Sequence, residues 1–473
     1  MNIQCTSRRP KIGRWILHVT VVISFLIAVA SSVFIADTSV RAANFTEQAE
    51  GWIEQILKGL FKQDQYPELL QKPGLFPPSA KFMQLSLSEA MELFLKQNLD
   101  LIIAHFGIDA AKGRQITARL FPNPSFNVNT LSSYTQGCHM STCGAVGPSV
   151  TQLFEVAGKR GYRIRAAELN ALSVEARFED AIRQLSFALK ESYFRVQRQR
   201  GHLSIDQQAL NILVKLLQPS PDKGKRFTSE LERIRLGLLT VNTEAEVLRD
   251  LQNVEDAAGD LRVMLNLLPD VELDLETPLI YRSLELKLGD LMEYAAENRP
   301  DIRALRLVRD RRKTELQLAR VTPYPNVTAQ LGYAVQGPHG PDNQQQWAFG
   351  LSVPLPVFDR NQGGIIEAEV AAKAAQTEVD KALLQIRNEV SVAYRKVLHA
   401  RKLVDATNGA IDRATTVFQS VQEGYSKNEV GILDLENARR SYGDTEISHL
   451  DALFGYYDNL LLLERSTGRN LML

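Results

Sequence analysis

The 473-residue sequence has little glycine and proline, with 28 and 19 residues, and no excess charge of either sign. Lysine plus arginine number 55, and aspartate plus glutamate also number 55. This balance gives no support to a nucleic-acid partner or an acidic substrate. The scarcity of helix-breaking residues, together with abundant Ala, Leu, Glu, Arg and Gln between them, favours long helices.

Catalytic signatures are also missing. The sequence contains no Walker loop, dinucleotide-binding fingerprint or nucleophile elbow. None of its seven histidines is paired with another at the spacing of metal ligands. We therefore expect a protein that is not an enzyme and that has no cofactor and no metal site.

Cysteine is scarce, with three residues in the chain. Cys5 precedes the apolar run near the N-terminus, whereas Cys138 and Cys143 lie close together in a loop that contains glycine, serine and threonine. In an oxidising compartment this pair favours a disulfide that pins the loop. The alternative is a soft-metal site formed with His139 and Met140.

Residues 1–43 have the pattern of a targeting segment. Basic residues between Arg8 and Arg14 precede an apolar run from Trp15 to about Ala36, and small residues suited to signal cleavage accompany it. We predict a cleaved secretory signal peptide. The alternative is an uncleaved anchor, because the run approaches the ~20 apolar residues that span a bilayer.

The rest of the chain repeats itself at an offset of 201 residues, from Leu85 to Leu286 for instance. The segment Leu-Ser-Leu-Ser-Glu that begins at Leu85 corresponds to the segment Leu-Lys-Leu-Gly-Asp that begins at Leu286. The Pro-Asn-Pro sequence at Pro122 likewise corresponds to the Pro-Tyr-Pro sequence at Pro323. A period this long indicates two copies of one unit with several elements, not a solenoid of small repeats.

These features divide the chain into four segments. We expect a signal peptide over 1–43, an N-terminal extension over 44–84, a first repeat over 85–285 and a second repeat over 286–473. The extension combines one apolar helix face with a stretch that contains several prolines. We expect it to pack along the outside of the repeats.

Apolar residues recur at three-to-four spacing through long stretches of both repeats, which is the period of amphipathic helices. No proline interrupts the segment from Gly363 to Lys427. As one α-helix this segment would be about 95 Å long, far beyond the diameter of a compact domain. We therefore expect a helix that projects from the rest of the protein.

Between the helices the apolar period shortens to two, which predicts strands. In the second repeat the alternation covers Val327–Gln336 and Trp347–Val353, separated by a loop of turn-forming residues. The weaker counterpart in the first repeat covers Ser125–Gln136 and Gly147–Phe154. The sequence therefore predicts two strand pairs within a mainly α-helical chain.

The four strands have roughly 8 to 11 residues, which is the length of outer-membrane strands. Membrane barrels need about 8 strands or more, because an open edge in lipid leaves backbone groups unpaired. The strand count therefore favours a barrel shared between copies, with a dimer and a trimer both allowed. The alternative is a soluble four-stranded sheet that caps a helical bundle.

From Leu85 to the C-terminus, the order of elements resembles the TolC family of outer-membrane efflux channels. The segment Val353–Gly364, with the sequence Val-Pro-Leu-Pro-Val-Phe-Asp-Arg-Asn-Gln-Gly-Gly, is similar to a strand-to-helix corner of the CzcC-like metal-efflux branch. Its first-repeat counterpart is Leu153–Gly161. A second segment, Tyr425–Arg439, resembles the periplasmic tip of these channels, where the chain reverses between two helices.

The resemblance implies a trimeric α/β-barrel channel, with a β-barrel in the outer membrane and a helical tunnel across the periplasm of a Gram-negative-type bacterium. It also implies a periplasmic adaptor and an inner-membrane pump, of the resistance-nodulation-division type in this branch. The expected function is a passive export duct for heavy-metal cations. The alternatives are a duct for drugs or other organic solutes, and a membrane-anchored periplasmic helical scaffold.

The resemblance also assigns roles at the tip. Asp434 matches an acidic residue that lines the constriction in some family members, where a ring of carboxylates would attract cations. Alternatively, Asp434 only complements the positive N-terminal end of the following helix, and Glu436 faces the pore instead. The resemblance further predicts that adaptor-facing residues of this tip include Lys427, Asn428 and Gly431.

The first-repeat tip departs from the family pattern, because Pro219 and Pro221 must stop the incoming helix. Glu230 is the counterpart of Asp434 and is a further pore candidate. A basic cluster could contact an acidic adaptor surface, or it could be a solvated charged tip. The candidates around this cluster are Lys223, Gly224, Lys225 and Arg226.

Overall fold

The structure, a computed structural model, describes residues 82–132, 144–217, 230–336, 345–427 and 429–471. The signal peptide predicted over 1–43 and nearly all of the extension predicted over 44–84 lie outside these ranges. The cysteine pair predicted to form a disulfide, Cys138 and Cys143, also lies outside them.

The first repeat contains four helices, two strands of one sheet and two short strands of another within the described ranges. They are β1 (Phe82–Leu85), α1 (Leu87–Gln97), α2 (Leu99–Arg119), β2 (Ser125–Ser132), β3 (Gly144–Phe154), α3 (Lys159–Leu217), α4 (Glu230–Met264) and β4 (Glu272–Leu275).

The second repeat has the same order of helices and long strands. Its elements are α5 (Leu288–Asn298), α6 (Pro300–Val321), β5 (Val327–Gln336), β6 (Gln345–Ser352), α7 (Gln362–Ser426) and α8 (Ile432–Thr467).

The repeat and the long helix that the sequence predicts are both present. Helix α5 begins and ends 201 residues after α1, which is the offset found in the sequence. Helix α7 has 65 residues and covers nearly all of the proline-free segment. No helix within the described ranges is both long and apolar enough to cross a membrane. The described part of the chain is therefore mainly helical, as the sequence predicts.

Local sequence explains where the short helices begin. Ser86 and Glu89 form a capping box at α1, in which the Ser86 N–H donates to Glu89 Oε2 at 2.8 Å and Ser86 Oγ accepts from the Glu89 N–H. Asn98 Oδ1 accepts from the Leu101 N–H at 3.0 Å and caps α2 in the same way. These side chains satisfy backbone donors that a helix start leaves unpaired. The second repeat uses proline at the first position of α6 instead, Pro300.

The larger sheet is antiparallel, with the strand order β2-β3-β5-β6. Strands β3 and β5 join the two repeats, and Val150 pairs with Leu331 in this central register. Within the described part of the chain, β2 and β6 each pair on one side only. The sheet therefore has two open edges.

The smaller sheet, which the sequence analysis did not predict, is a parallel pair of β1 and β4. Tyr193 of α3 holds this pair in place. Its hydroxyl donates to the Leu85 carbonyl oxygen at 2.8 Å and accepts from the Thr277 N–H at 3.1 Å. In the second repeat the equivalent Tyr394 hydroxyl donates to the Leu286 carbonyl oxygen at 3.2 Å. The same tyrosine contact thus occurs in both repeats.

The main hydrophobic core lies where the small sheet packs between the long helices. Helix α3 contacts α2, α4, α6 and α8, and helix α7 contacts α5, α6 and α8. Large side chains that are almost fully buried fill this region, among them Phe94, Leu189, Tyr193, Phe194, Leu261, Leu291, Ile302, Ile386 and Leu461. The core therefore ties the two repeats together midway along the helices.

The tyrosine contact predicts a difference between the two repeats. In a Tyr193→Phe variant, the half-buried Thr277 N–H loses its acceptor and the Leu85 carbonyl oxygen keeps only the bond from the Glu276 N–H, so we expect a loss of about 1–3 kcal/mol in the free energy of unfolding. The matched Tyr394→Phe variant loses one longer, half-buried hydrogen bond and should cost only about 0.5–1.5 kcal/mol. Denaturant unfolding followed by circular dichroism measures both, and equal losses would contradict this assignment.

Candidate functional site

The turn between α7 and α8 is short and tightly packed. The Lys427 N–H ends α7 by donating to the carbonyl oxygens of Glu423 and Gly424, each at 3.1 Å. The Glu429 N–H then donates to the Gly424 carbonyl oxygen at 2.8 Å. A Cβ atom on Gly424 would lie 2.6 Å from Val430 Cγ2. A larger residue at position 424 would therefore displace the returning chain.

Asp434 lies in the first turn of α8, and its side chain is exposed. The helix begins after Gly431, which has no side chain to cap it. Asp434 Oδ2 lies 3.6 Å from the position that a Cβ atom on Gly431 would occupy. The carboxylate therefore points back toward the positive end of the helix and remains open to solvent. This geometry is compatible with both roles considered for Asp434.

Glu436, the alternative pore candidate, is in a different environment. It is 7% exposed, and its two carboxylate oxygens accept hydrogen bonds from Arg439 at 2.7 and 2.6 Å. A buried carboxylate that is neutralised by an arginine one turn along the same helix does not present a free charge to a pore. The expectation that Glu436 faces the pore is therefore not supported by its position.

Arg439 and Glu436 form one wall of a cavity of about 360 Å³ between α3, α4 and α8. Burial alone would lower the pKa of Arg439, but the hydrogen-bonded Glu436, with the charges of Glu246 on α4 and Asp206 on α3, raises it. The guanidinium thus remains charged at the junction of three helices. It attracts carboxylates from two helices that belong to the first repeat.

Asp206 is the most perturbed acid of this cavity. Burial, followed by the neighbouring Asp250 carboxyl and the charge of Glu246, raises the pKa of Asp206 to about 6, while His202 opposes the shift. Because Asp250 and Glu246 place like charges near this half-buried carboxyl, the protonated form of Asp206 is favoured. This part of the helical bundle is therefore sensitive to pH.

The remaining candidates from the sequence fall outside the described residues. Asn428 is one of them, and its role as an adaptor-facing residue stays a prediction. Helix α4 begins at Glu230, but the environment of that side chain is also outside the description. The first-repeat tip candidates Lys223, Gly224, Lys225 and Arg226 precede it and stay predictions.

Within the described ranges, no group of three or more histidine, cysteine, aspartate or glutamate side chains is arranged to hold a metal ion. The histidine closest to an acid is His202, whose Nε2 lies 2.8 Å from Asp451 Oδ1. The Arg198 Nε–H also donates to this oxygen at 2.6 Å. These contacts tie α3 to α8, so we assign them a structural role.

Sequence reasoning missed three residues of this region, Gly424, Arg439 and Asp206. Glutamate and arginine three residues apart on a helix form pairs, so the Glu436–Arg439 contact was visible in the sequence. Asp206 and Asp250 lie on two different helices, so no local sequence pattern indicates that they are close. The residues of this region end α7, reverse the chain and hold the Glu436–Arg439 ion pair among the helices.

Comparison with known proteins supports the resemblance seen in the sequence. Residues 291–469, from within α5 to beyond the end of α8, match the family described as outer membrane efflux protein. The chain is 25% identical over 397 residues to the cobalt-zinc-cadmium resistance protein CzcC of Cupriavidus metallidurans. That alignment covers 81% of this chain and 90% of the relative.

Two further similarities agree with this result. The chain is 25% identical over 329 residues to the nickel-cobalt-cadmium resistance protein NccC of Alcaligenes xylosoxydans xylosoxydans, covering 68% of this chain and 70% of that protein. Its fold is similar to the open outer membrane channel MtrE of Neisseria gonorrhoeae, with a TM-score of 0.67 and 20% identity. This fold similarity covers 81% of this chain and 89% of that one. The predicted resemblance is confirmed.

The cavity between α3, α4 and α8 generates a pH prediction. The pKa of Asp206 rises on folding from 3.8 to about 6, so the folded state binds this proton more tightly than the unfolded state. Its contribution to stability is full below about pH 4 and is lost as the pH rises through about 6. The Asp206→Asn variant cannot ionise, so its unfolding temperature should fall less between pH 4.5 and 7.

Thermal unfolding of the detergent-solubilised full chain, followed by circular dichroism over this pH series, measures the difference. The matched control is Asp412→Asn, which removes an exposed aspartate from α7. If wild type and Asp206→Asn show the same pH dependence, Asp206 does not carry the effect.

Proposed function

Because this chain carries an outer membrane efflux protein domain, we propose that it is the outer-membrane channel of a tripartite efflux system for heavy-metal cations. One observation carries this proposal: a four-stranded sheet with two open edges continues into helices as long as 65 residues. Strands of this kind suit a membrane barrel, and helices of this length suit a tunnel beneath it.

Several copies are needed to complete the barrel. One chain supplies four strands of the larger sheet, whereas membrane barrels have about 8 or more. Unpaired backbone groups at β2 and β6 would each cost several kcal/mol in lipid. We infer a homotrimer, in which β6 of one copy pairs with β2 of the next and the outer-membrane lipid surrounds the closed barrel.

Exposed apolar side chains support contact with lipid. On β6, Trp347, Phe349 and Leu351 are 66%, 83% and 79% exposed. They alternate along the strand, so they share one face of the sheet. A soluble sheet capping a helical bundle would bury such a face. The scaffold alternative has no comparable support, because the fold resembles an outer membrane channel over 81% of the chain.

The cargo is inferred from the two relatives. CzcC and NccC are named for resistance to cobalt, zinc, cadmium and nickel, which are all divalent cations in water. An exposed ring of Asp434 carboxylates at the narrow end of the tunnel would attract such ions and repel anions. We therefore propose metal cations as the cargo, with organic solutes as the second candidate.

The partners follow from the passive nature of the duct. The described residues offer no site for an energy-supplying reaction, so an inner-membrane pump, of the resistance-nodulation-division type, would drive export. A periplasmic adaptor would bind the tip of the helices. The proposed contact residues are Lys427, Asn428, Gly431, Lys223, Gly224, Lys225 and Arg226.

Disruption of the gene in its host tests the cargo. We expect growth on cobalt, zinc or cadmium salts to become more sensitive, and the wild-type gene to restore tolerance, because the duct removes these ions from the cell. Sensitivity to organic dyes and detergents, measured in parallel, is the control. Sensitisation to organic compounds alone would replace metals with organic solutes as the cargo.

Asp434 can be tested separately in planar lipid bilayers with the purified full chain. The Asp434→Asn variant should lower the preference for cations over anions several-fold, because a unit charge at about 4 Å contributes about 1 kcal/mol in water. The matched control, Glu429→Gln, removes an exposed charge from the same turn and should change selectivity less. A selectivity unchanged in Asp434→Asn would contradict the gate role and leave Asp434 as a helix-end charge.

A further inference from the structure

The corner between β6 and α7, residues 353–361, exposes large apolar side chains. Leu355 is 79% exposed, Val357 is 59% exposed and Phe358 is 91% exposed. Single apolar residues at a surface are common, but a contiguous group of them indicates a binding partner. The partner has to cover a small convex apolar surface at the point where the sheet meets the helices.

Hydrogen bonds hold this corner in a defined conformation. Asn361 is in the left-handed region, with φ of 56°, and its N–H donates to Asp359 Oδ1 at 2.8 Å. The Asn361 Nδ2 group donates to the carbonyl oxygen of Ala319 at 2.9 Å, and Gln362 Nε2 donates to that of Phe358 at 3.2 Å. Phe358 is therefore presented to solvent on a backbone fixed to the end of α6.

The corner continues the apolar face of β6. Beyond the strand end, the alternation of Trp347, Phe349 and Leu351 is carried on by Val353 and Leu355, which are 44% and 79% exposed. The intervening residues at 354 and 356 are prolines, which fix φ and cannot donate to a neighbouring strand. The surface that faces lipid in the proposed barrel thus extends past the last paired residue.

Basic side chains flank this apolar surface. Arg360 lies within the corner, and the hydrogen bond from Asn361 to Ala319 places Arg320 beside it. Both arginines are exposed, and no direct ion pair of either is seen within the described ranges, although the charge of Glu369 on α7 lies near Arg320. Apolar and aromatic groups beside guanidinium groups suit the headgroup level of a bilayer, where arginine binds phosphate and aromatic rings are enriched. A dry apolar groove of a protein would leave the arginine charges without partners.

The equivalent corner of the first repeat is built differently. It has four residues, 155–158, between β3 and α3, against nine, 353–361, in the second repeat. Its Glu155 is held by Arg163, whose Nη2–H donates at 2.8 Å. The neighbouring Lys159 is buried and donates to Asn326 Oδ1 at 2.8 Å. This corner packs on its own chain, although Phe121 and Phe154 at the same end of the sheet are 71% and 53% exposed.

We propose that the β6–α7 corner is a membrane-interface anchor, in which Leu355, Val357 and Phe358 enter the periplasmic leaflet of the outer membrane. Arg320 and Arg360 bind the phosphates of phospholipid headgroups in that leaflet. The anchor rests on the proposed channel function, because it requires the neighbouring strands to lie in the membrane. It would fix the depth of the barrel at the point where the helices begin.

Tryptophan fluorescence in vesicles tests the anchor. The reporter chain carries Phe358→Trp together with phenylalanine in place of Trp15, Trp52 and Trp347. It is reconstituted in vesicles of phosphatidylethanolamine and phosphatidylglycerol, with or without bromine on the acyl chains near the headgroup. A reference chain keeps Trp347 as its only tryptophan. We expect bromine to quench the tryptophan at position 358 of the reporter about as strongly as it quenches Trp347 of the reference chain.

A control reporter carries Val417→Trp on α7, where the native side chain is 56% exposed, and should not be quenched. If position 347 is quenched and position 358 is not, the anchor is wrong and the channel function stands. If neither is quenched, the membrane placement of the sheet fails and the anchor fails with it.

The arginines are tested in the same reporter. Adding Arg320→Gln and Arg360→Gln should weaken quenching at position 358, because the corner loses its attraction to headgroup phosphate. The same two substitutions in the chain that retains only Trp347 should leave the quenching of Trp347 unchanged, since the barrel strands stay in lipid. Unchanged quenching at position 358 would overturn the part of the proposal that assigns phosphate binding to the arginines.

Discussion

The two open edges of the four-stranded sheet are the constraint on which the account depends. Strands β2 and β6 each carry a row of backbone donors and acceptors with no partner in the described chain, and β6 also exposes large apolar side chains such as Phe349. In water the exposed apolar face would favour aggregation. In lipid the unpaired backbone groups at the open edges would cost free energy. Pairing with further copies inside a membrane satisfies both requirements. The proposed trimer, the lipid contact and the anchor at the β6–α7 corner all follow from this.

The long helices follow directly from strands of the sheet, so the same elements extend from the sheet to the α7–α8 turn. Helices α3 and α7 each follow a strand of the sheet after a short corner, so closure of the barrel would fix where both helices begin. Midway along them, the core around Tyr193 and Phe94 locks the repeats together. Nearer the α7–α8 turn, the half-buried Arg439 lies between three helices. This charge lies close to the titratable Asp206.

Much of the fold was accessible from sequence, because it is repetitive and periodic. The offset between Leu85 and Leu286 predicted the repeat, and the proline-free segment predicted α7. Strict alternation predicted β5 with the bounds that the structure shows. The β1–β4 pair was missed because strands of four residues have too little period to detect and their partners lie far apart in the chain. The pairing of Glu436 was not foreseen because a carboxylate looks the same in sequence whether it is free or bound to Arg439. Its burial depends on how three helices pack, which no local pattern records.

Disulfide cross-linking between the open edges tests the central claim most directly. Phe126→Cys on β2 would be combined in turn with Phe349→Cys and with Leu351→Cys on β6, in a chain with Cys138→Ser and Cys143→Ser. The account predicts that oxidation of outer membranes gives a covalent trimer on denaturing, non-reducing gels for at least one of these pairs. Monomers throughout the series, or a ladder that continues beyond three copies, would contradict a closed barrel shared by three chains.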